Sequence, residues 1–562
     1  MRRPRFTSRG CCQPRRVRYR GGRTSMARSA LVLTVCTTLA GCGSLDHWWH
    51  NGWKVGPNYG RPVAAVADHW IDAEDARVST GPVDTGRWWA TLNDPVLDRL
   101  IQEAAAENLP LQIAAMRVLE ARAQRGEAGA TLFPQQQRML GTYSRNAFSG
   151  NAFPFGQFPI KRFYDDWLTG FDVAWELDVW GLFRRGIEAA DANVNARIEN
   201  YDDMLVILQA DVAGAYIQMR TVERRLWLMR KNVELQRHTL DIIQKRFEQG
   251  IVSELDVRQA KAVMEVTAAA IPKLAAGRRT LANTLCILLG KPPGQLAGEL
   301  PVTGQIPAAP PEVVVGIPAD LLRRRPDVRR AERQAAAQCA RVGMVTAELY
   351  PHFAITGTIA MDTEQFKHLF DGSSLMGKIG PGFRWNILHY GRIRNRIRAE
   401  DAKFQQAVLA YRNTVLAANK EAEDAIVAYL REQTRIESLD AAEQDTRRAL
   451  ELGLLLYQQG VVDYQRVLDA QRALVLRQDA LAESQGNIAL SLVAVYKAMG
   501  GGWSARLTPD ANVPTPAAPA ADAGARTPAP GDMLGNEILT PEQLLKMAPP
   551  SKPKTPSKAK NQ

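Results

Sequence analysis

The sequence predicts a mainly α-helical chain, built from two internal repeats, that contributes four strands to a membrane β-barrel. Three observations predict this. Matching segments recur at fixed offsets along the 562 residues. Each copy carries apolar-periodic runs far longer than an ordinary helix. Between those runs lie stretches of period-2 alternation with one bulky apolar face. At 46% hydrophobic and 23% charged residues, the composition is that of a globular chain and excludes wholesale disorder. The mean hydropathy is −0.24, and beyond Cys42 no apolar run reaches the length of a membrane-crossing helix.

The leader and charge come first in the chain. Residues 1–28 hold ten arginines and no acid, so the rest carries only +2 of the formal +12. The basic character belongs to the leader, and a nucleic-acid partner is not expected. Ala30 to Ala40 is a short apolar run of the secretory kind, ending in Leu39-Ala40-Gly41-Cys42. This has the layout of a bacterial lipobox, so residues 1–41 are read as a cleaved leader and Cys42 as the lipidated residue. Several acyl chains, at about 0.8 kcal/mol per buried methylene, anchor a protein firmly in lipid. Cys286 and Cys339 lie far apart on apolar helical faces and are read as small core residues. His47, Trp48, Trp49 and His50 are read as interfacial aromatic packing rather than a metal site. No metal-ligand spacing, Walker A motif or nucleophile elbow is present.

The repeat can be followed residue by residue. Trp175, Gly181, Arg184, Ile187 and Ala189 recur as Trp385, Gly391, Arg394, Ile397 and Ala399, an offset of 210. Gln249, Gly250, Val252, Val257 and Ala260 recur as Gln459, Gly460, Val462, Val467 and Ala470 at the same offset. Leu111, Ala114 and Leu132 to Pro134 match Val328, Ala331 and Leu349 to Pro351 at 217. The copies are placed at 97–290 and 314–500, joined by a linker at 291–313. Residues 42–96 form an N-terminal segment, and the Pro/Ala/Lys-rich stretch 501–562 reads as a disordered tail.

Each copy reads alike. A helix is predicted from Leu97 to Ala130, stopped by Leu-Phe-Pro. Two strands follow. In the second, Trp167, Thr169, Phe171, Val173 and Trp175 alternate with Leu168, Gly170, Asp172, Ala174 and Glu176. Copy two alternates Ile379, Pro381, Phe383 and Trp385 with Gly380, Gly382, Arg384 and Asn386. A half-buried soluble hairpin has the same pattern; the lipid anchor and the four strands favour a barrel wall. The aromatic loop from Arg145 to Lys161 fits an extracellular hairpin loop. A helix from Leu182 to Phe247 spans about 98 Å. Gly250 breaks it, and a second helix returns from Ser253 to Leu289, with Pro272 expected to kink it. The two shorter helices, at about 50 and 55 Å, stack end to end to match the long one. Four strands alone leave open edges in lipid, and about eight make the smallest bacterial barrel. The chain is therefore expected to form a homotrimer, whose three copies supply twelve strands and a matching helical tube.

These residues resemble the TolC-type outer-membrane efflux ducts, in the lipoprotein branch of OprM, CusC and NodT. The carrying motifs are VGPNYGRP (Val55 to Pro62), the stretch Trp88 to Asn108, Phe133-Pro134, Trp175 to Gly181 (WELDVWG), Leu288 to Gly290 and Leu321 to Glu332, with the two Gln-Gly tip loops. The resemblance covers about Cys42 to Gly500. It implies a TolC-like trimer with a twelve-stranded outer-membrane barrel continued by a periplasmic α-helical barrel. It also implies an inner-membrane pump of the RND type, a periplasmic adaptor, no enzyme activity and no cofactor beyond the lipid on Cys42. Alternatives are a duct for type I protein secretion, or a non-conducting periplasmic coiled-coil lipoprotein scaffold. By the same resemblance, Gly250, Ile251 and Val252 with Gly460, Val461 and Val462 are adaptor-contact tips, each Gly followed by an exposed apolar pair. Asp469 stands where relatives ring the aperture with carboxylates. Arg466 replaces a second acid, with Asp256 as its counterpart in copy one. A contact from Arg466 to Asp463 or Asp469 is an alternative latch.

Overall fold

The computed structural model describes residues 48–81, 86–149, 161–294, 296, 300, 302–319 and 324–504. The leader, Cys42, His47, the loop tip at 150–160 and the tail from 505 lie outside the described residues. The elements are β1 (Val78–Ser79), α1 (Pro95–Glu107), α2 (Leu109–Ala130), β2 (Gln136–Ala147) and β3 (Phe163–Leu177). Next come α3 (Leu182–Glu248), α4 (Glu254–Leu288), β4 (Val313–Val314), α5 (Pro326–Ala347) and β5 (His352–Thr363). β6 (Leu375–Arg384), α6 (Arg392–Gln458) and α7 (Tyr464–Ala498) complete the described elements.

The first predicted helix is in fact two. The backbone of Asn108 is extended (φ −66°, ψ 117°), and α2 starts just beyond it with Pro110 in its first turn. Proline lacks the N–H and clashes with the preceding turn, so a helix cannot run through this point. Asn108 caps α2 by accepting a hydrogen bond from the Leu111 N–H at 3.0 Å.

That break builds the end-to-end stack. Asn108 Nδ2 donates to the carbonyl of Leu288, the last residue of α4, at 2.9 Å. A Cβ on Gly290 would lie 2.5 Å from the Glu107 carbonyl oxygen, so the junction demands glycine for space as well as for its φ of +67°. Arg325 holds the place of Asn108 in the second repeat. Its Nη1 donates to the carbonyl of Ala498 at 2.8 Å, closing α7 onto the start of α5. It also bonds Asp327 at 3.0 and 2.9 Å and Glu421 at 2.6 Å. The Arg-Arg-Pro-Asp-Val motif is thus the joint between two stacked helices and α6.

α3 and α6 each run 67 residues, about 100 Å at 1.5 Å per residue. Each starts at a left-handed glycine, Gly181 (φ +83°) and Gly391 (φ +82°). Asp178 of the WELDVWG motif accepts from the Phe183 N–H at 3.2 Å and the Arg184 N–H at 2.9 Å, satisfying two orphan donors of α3. The VGPNYGRP segment is laced to the same corner. The Val55 N–H donates to Trp180 O at 3.0 Å, and Arg185 Nε donates to Val55 O at 3.2 Å. Trp48, Trp53, Trp180 and Tyr350 pack around it, with ring centroids 4.6–5.7 Å apart for the pairs Trp180–Tyr350, Trp48–Trp180 and Trp48–Trp53. Trp175 and Trp385 donate to Leu132 O and Leu349 O, both at 3.0 Å, and so tie the sheet to the ends of α2 and α5 in the same way in both repeats. At the waist, the parallel pair β1–β4, Trp70, Trp88, Leu97, Tyr216 and Tyr429 form the main apolar core, where Trp88 stacks on Tyr496 at 5.5 Å. Cys286 and Cys339 are buried and unpaired.

The four long strands form one antiparallel sheet in the order β2-β3-β5-β6. Its register aligns Met139, Phe171 and Ile359 across three strands, with Val173, Ile379, Phe353 and Phe383 on the same face. This face is open: Met139 is 70%, Phe171 56%, Ile379 82% and Phe383 71% exposed. The opposite face is polar. Asp172 accepts from Thr358 Oγ1 at 2.8 Å and lies 3.3 Å from Arg138, and Glu176 meets His352 at 2.6 Å. Among the described residues, β2 and β6 each lack a neighbour on their outer edge. No described helix is long and apolar enough to cross a membrane.

Candidate functional site

The two helical hairpins, α3–α4 and α6–α7, turn at the end of the molecule remote from the sheet. Both long helices end in the same way. The Gly250 N–H donates to Phe247 O at 2.8 Å and the Ile251 N–H to Arg246 O at 2.9 Å; Gly460 and Val461 repeat the pair on Tyr457 and Leu456 at 3.0 and 2.9 Å. This is the Schellman arrangement, and it needs φ > 0 at the glycine. Gly250 has φ +70° and Gly460 +74°, with open space where a Cβ would stand, so conformation and not crowding calls for glycine here.

The sequence predicts an exposed apolar pair after each glycine; the structure divides the pair. Ile251 and Val461 are 64% and 66% exposed. Val252 and Val462 turn inward onto an apolar cluster of Ile243, Ala260, Val263, Tyr457, Tyr464 and Val467. That cluster binds the two hairpins together near their tips. Burial pushes the Tyr457 and Tyr464 phenols above their ordinary range, although the Arg246 charge partly offsets this at Tyr457, and both stay neutral.

The returning helices begin differently. Ser253 and Asp256 form a reciprocal capping box at the start of α4, with the Ser253 N–H donating to Asp256 Oδ2 at 3.1 Å and the Asp256 N–H to Ser253 Oγ at 3.4 Å. In α7 the N-cap is Asp463, which makes no side-chain cap bond, and Arg466 stands where Asp256 does. The Arg466 latch is not made: no ion pair joins it to Asp463 or Asp469 among the described residues. Asp469, exposed, accepts instead from Gln465 Nε2 at 3.0 Å and lies 3.6 Å from Arg472. The acid is engaged elsewhere on its own helix: Gln465 precedes Asp469 by four residues and Arg472 follows it by three, the charge order that a helix favours.

Sequence reading missed Arg246. Its Nη1 donates to Tyr457 O at 3.0 Å and its Nη2 to Gln458 O at 2.8 Å, and the guanidinium lies 4.7 Å from the Tyr457 ring centroid. It satisfies the last carbonyls of α6 from across the hairpin boundary. No cluster of His, Cys, Asp and Glu suited to a metal occurs among the described residues.

The sheet, the paired hairpins and their duplicated order have counterparts. A family model described as outer membrane efflux protein matches twice, over residues 100–291 and 317–501. The chain belongs to the outer membrane efflux protein family. It is similar to nodulation protein T of Rhizobium leguminosarum bv. trifolii, at 30% identity over 81% of this chain and 95% of that one. It is also similar to the toluene efflux pump outer membrane protein TtgF of Pseudomonas putida, at 28% identity over 84% and 96%. The solved structure of the outer-membrane channel OprN matches with a TM-score of 0.75 and 29% identity, covering 80% of this chain and 99% of that chain. The fold is that of the TolC-like outer-membrane channels. This member of the efflux family is therefore an outer-membrane duct and not an enzyme. Its functional residues are to be sought as walls, joints and gates rather than as reacting groups.

Proposed function

We propose that three copies of this chain assemble into one conduit, each giving four strands to a twelve-stranded barrel and two hairpins to a helical tube. The observation that carries this is the sheet, which has one exposed apolar face, one polar face and, among the described residues, two unpaired edges. In hydrocarbon every backbone polar group needs a partner, so β2 of one copy must meet β6 of the next. The helices support the same assembly. Leu109, Ile113, Met116 and Leu119 make an exposed stripe along α2, and Leu409 and Leu416 another on α6, ready to be covered by neighbouring copies. The polar sheet face then lines the lumen. A lipid on Cys42 holds each copy in the outer membrane. A periplasmic adaptor docks at the tips through Ile251 and Val461, and an inner-membrane pump of the RND type drives the traffic. Asp469 belongs to the aperture ring, with Asp463 and Arg466 beside it. The relatives' names include toluene and cation efflux, so they select no single cargo for this duct.

Single-channel recording of the purified full chain in planar bilayers tests the proposal. The parent is expected to show discrete but small closed-state steps. Removing three carboxylates at the constriction in Asp469→Ala is expected to enlarge them. A parent that never conducts would end the duct reading, and an unchanged Asp469→Ala would remove that residue from the gate.

A further inference from the structure

The two repeats supply a template for a contact that the single chain leaves unmade. α2 and α5 correspond at an offset of 217 over their full 22 residues, and α3 and α6 at 210 over all 67. Within the chain, α5 lies against α3. Arg329 reaches Glu199 at 2.6 Å, and Arg330 reaches Asp203 at 2.8 Å and Asn200 at 2.9 Å. Gly343 lies so near α3 that its Cβ would stand 2.8 Å from the Arg185 side chain. Where the helices meet the sheet, Trp180 stacks on Tyr350 at 4.6 Å and donates to Pro351 O at 2.8 Å. The same positions in the other two helices are bare. Gln112 and Ile113 stand for Arg329 and Arg330, and Leu409 and Asn413 for Glu199 and Asp203; all four are exposed. Leu416, exposed, stands for the buried Val206. Gly126 stands for Gly343, with open space where a Cβ would be. Phe133 and Tyr390 stand for Tyr350 and Trp180, and Tyr390 is 93% exposed.

We propose that α2 of one copy packs on α6 of the next in the geometry in which α5 packs on α3 within the chain, so that Ile113 meets the next copy's Asn413, Gln112 its Leu409 and Phe133 its Tyr390. The proposal rests on the reading of the chain as a ring of identical copies and names the surface by which that ring closes. The two contacts differ in chemistry, and the difference sets the order of the helices. Inside the chain the contact is made by two arginines and two acids; between copies it is made by Ile113, Met116, Leu409 and Leu416. An exchanged pairing, with α5 on this exposed flank of α6, would set Arg329 and Arg330 against Leu409 and Asn413. Glu199 and Asp203 would then face Gln112 and Ile113. Charges taken from water without a partner are costly, so the polar contact excludes the wrong neighbour while the apolar one supplies burial. Gly126 also gains a purpose. A glycine weakens a helix interior relative to alanine, and here it admits the close approach of a neighbouring helix, as Gly343 does within the chain. A contact between two unlike surfaces repeats head to tail around an axis, which a face-to-face pairing of two copies does not.

The test uses the full-length protein extracted from outer membranes and reads its oligomeric mass. Ile113→Arg is expected to lower the trimer yield several-fold. Adding Asn413→Asp should return most of it, because Arg330 and Asp203 already make that pair in this geometry. A second measurement needs no charge at the contact. A short bis-maleimide should join a chain carrying Ile113→Cys and Asn413→Cys to its neighbours, giving dimers and trimers on a denaturing gel. A chain carrying Gln124→Cys and Asn413→Cys should stay unjoined: Gln124 lies three turns further along α2, about 16 Å away, and its counterpart Arg341 is exposed. A trimer whose Ile113→Cys and Asn413→Cys thiols do not join would overturn the pairing and leave the assembly reading standing. So would a parent-level trimer yield in Ile113→Arg, or a defect there that Asn413→Asp does not relieve. A parent that is monomeric throughout would overturn both.

Discussion

Replacing Glu223 by alanine is expected to lower the stability of the waist by about 3–5 kcal/mol, the cost of stranding a buried charge. Glu223 is fully buried on α3. One carboxylate oxygen accepts from Arg220 at 2.8 Å, itself 1% exposed, and the other from Arg278 of α4 at 2.7 Å. The Arg220 guanidinium also packs 4.9 Å from the centroid of Tyr216, whose hydroxyl donates to Asp94 at 2.8 Å. Removing the carboxylate leaves two guanidiniums facing one site, one of them without access to water. Neighbouring side chains are too tightly packed to supply a new acid. Thermal unfolding of the detergent-extracted protein, followed by circular dichroism, measures the effect. A midpoint many degrees below that of the parent is expected, and an unchanged midpoint would show that the triad does not hold the waist. Glu223→Gln keeps the volume and one acceptor, and should fall between the two.

The second large effect is expected on the open face of the sheet. Phe171 lies at the middle of β3, flanked by Met139 and Ile359 on the neighbouring strands. If this face meets lipid, Phe171→Arg places a guanidinium near mid-membrane, at about 2–4 kcal/mol for each copy. Three copies would multiply that cost, and outer-membrane assembly should fail or fall sharply. Thr358→Arg, on the opposite and polar face beside Asp172, should assemble normally. Fractionated membranes probed for the protein separate these results. Equal assembly of the two variants would contradict the assignment of faces.

Much of this architecture is visible in the chain because it is written twice. Gly181 and Gly391, or Gly250 and Gly460, sit at equal offsets and adopt nearly equal positive φ values, since the same turn needs the same backbone in each copy. The period-2 alternation around Phe171 settles which residues share a face, because side chains on a strand can point only two ways. The break at Asn108 was marked by an N-cap residue with proline two positions on, but the apolar spacing across it is continuous and conceals it. Asn108 and Arg325 do equivalent work with unrelated side chains, so a search for matching letters passes over them. Arg246 is hidden for a related reason: its partners, the carbonyls of Tyr457 and Gln458, lie 211 and 212 residues along the chain, and only the fold brings them beside it. Arg466 misleads in the opposite sense: its spacing from two acids suggests a pair, but Asp463 makes no side-chain cap bond and Asp469 is engaged by Gln465 and Arg472.

The central claim is that one copy cannot close its own sheet and that sister copies complete it. Native mass spectrometry of the full chain, extracted from outer membranes in mild detergent, tests this most directly. A single species at three times the protomer mass is the predicted result. A stable monomer, with its sheet edges free, would contradict it.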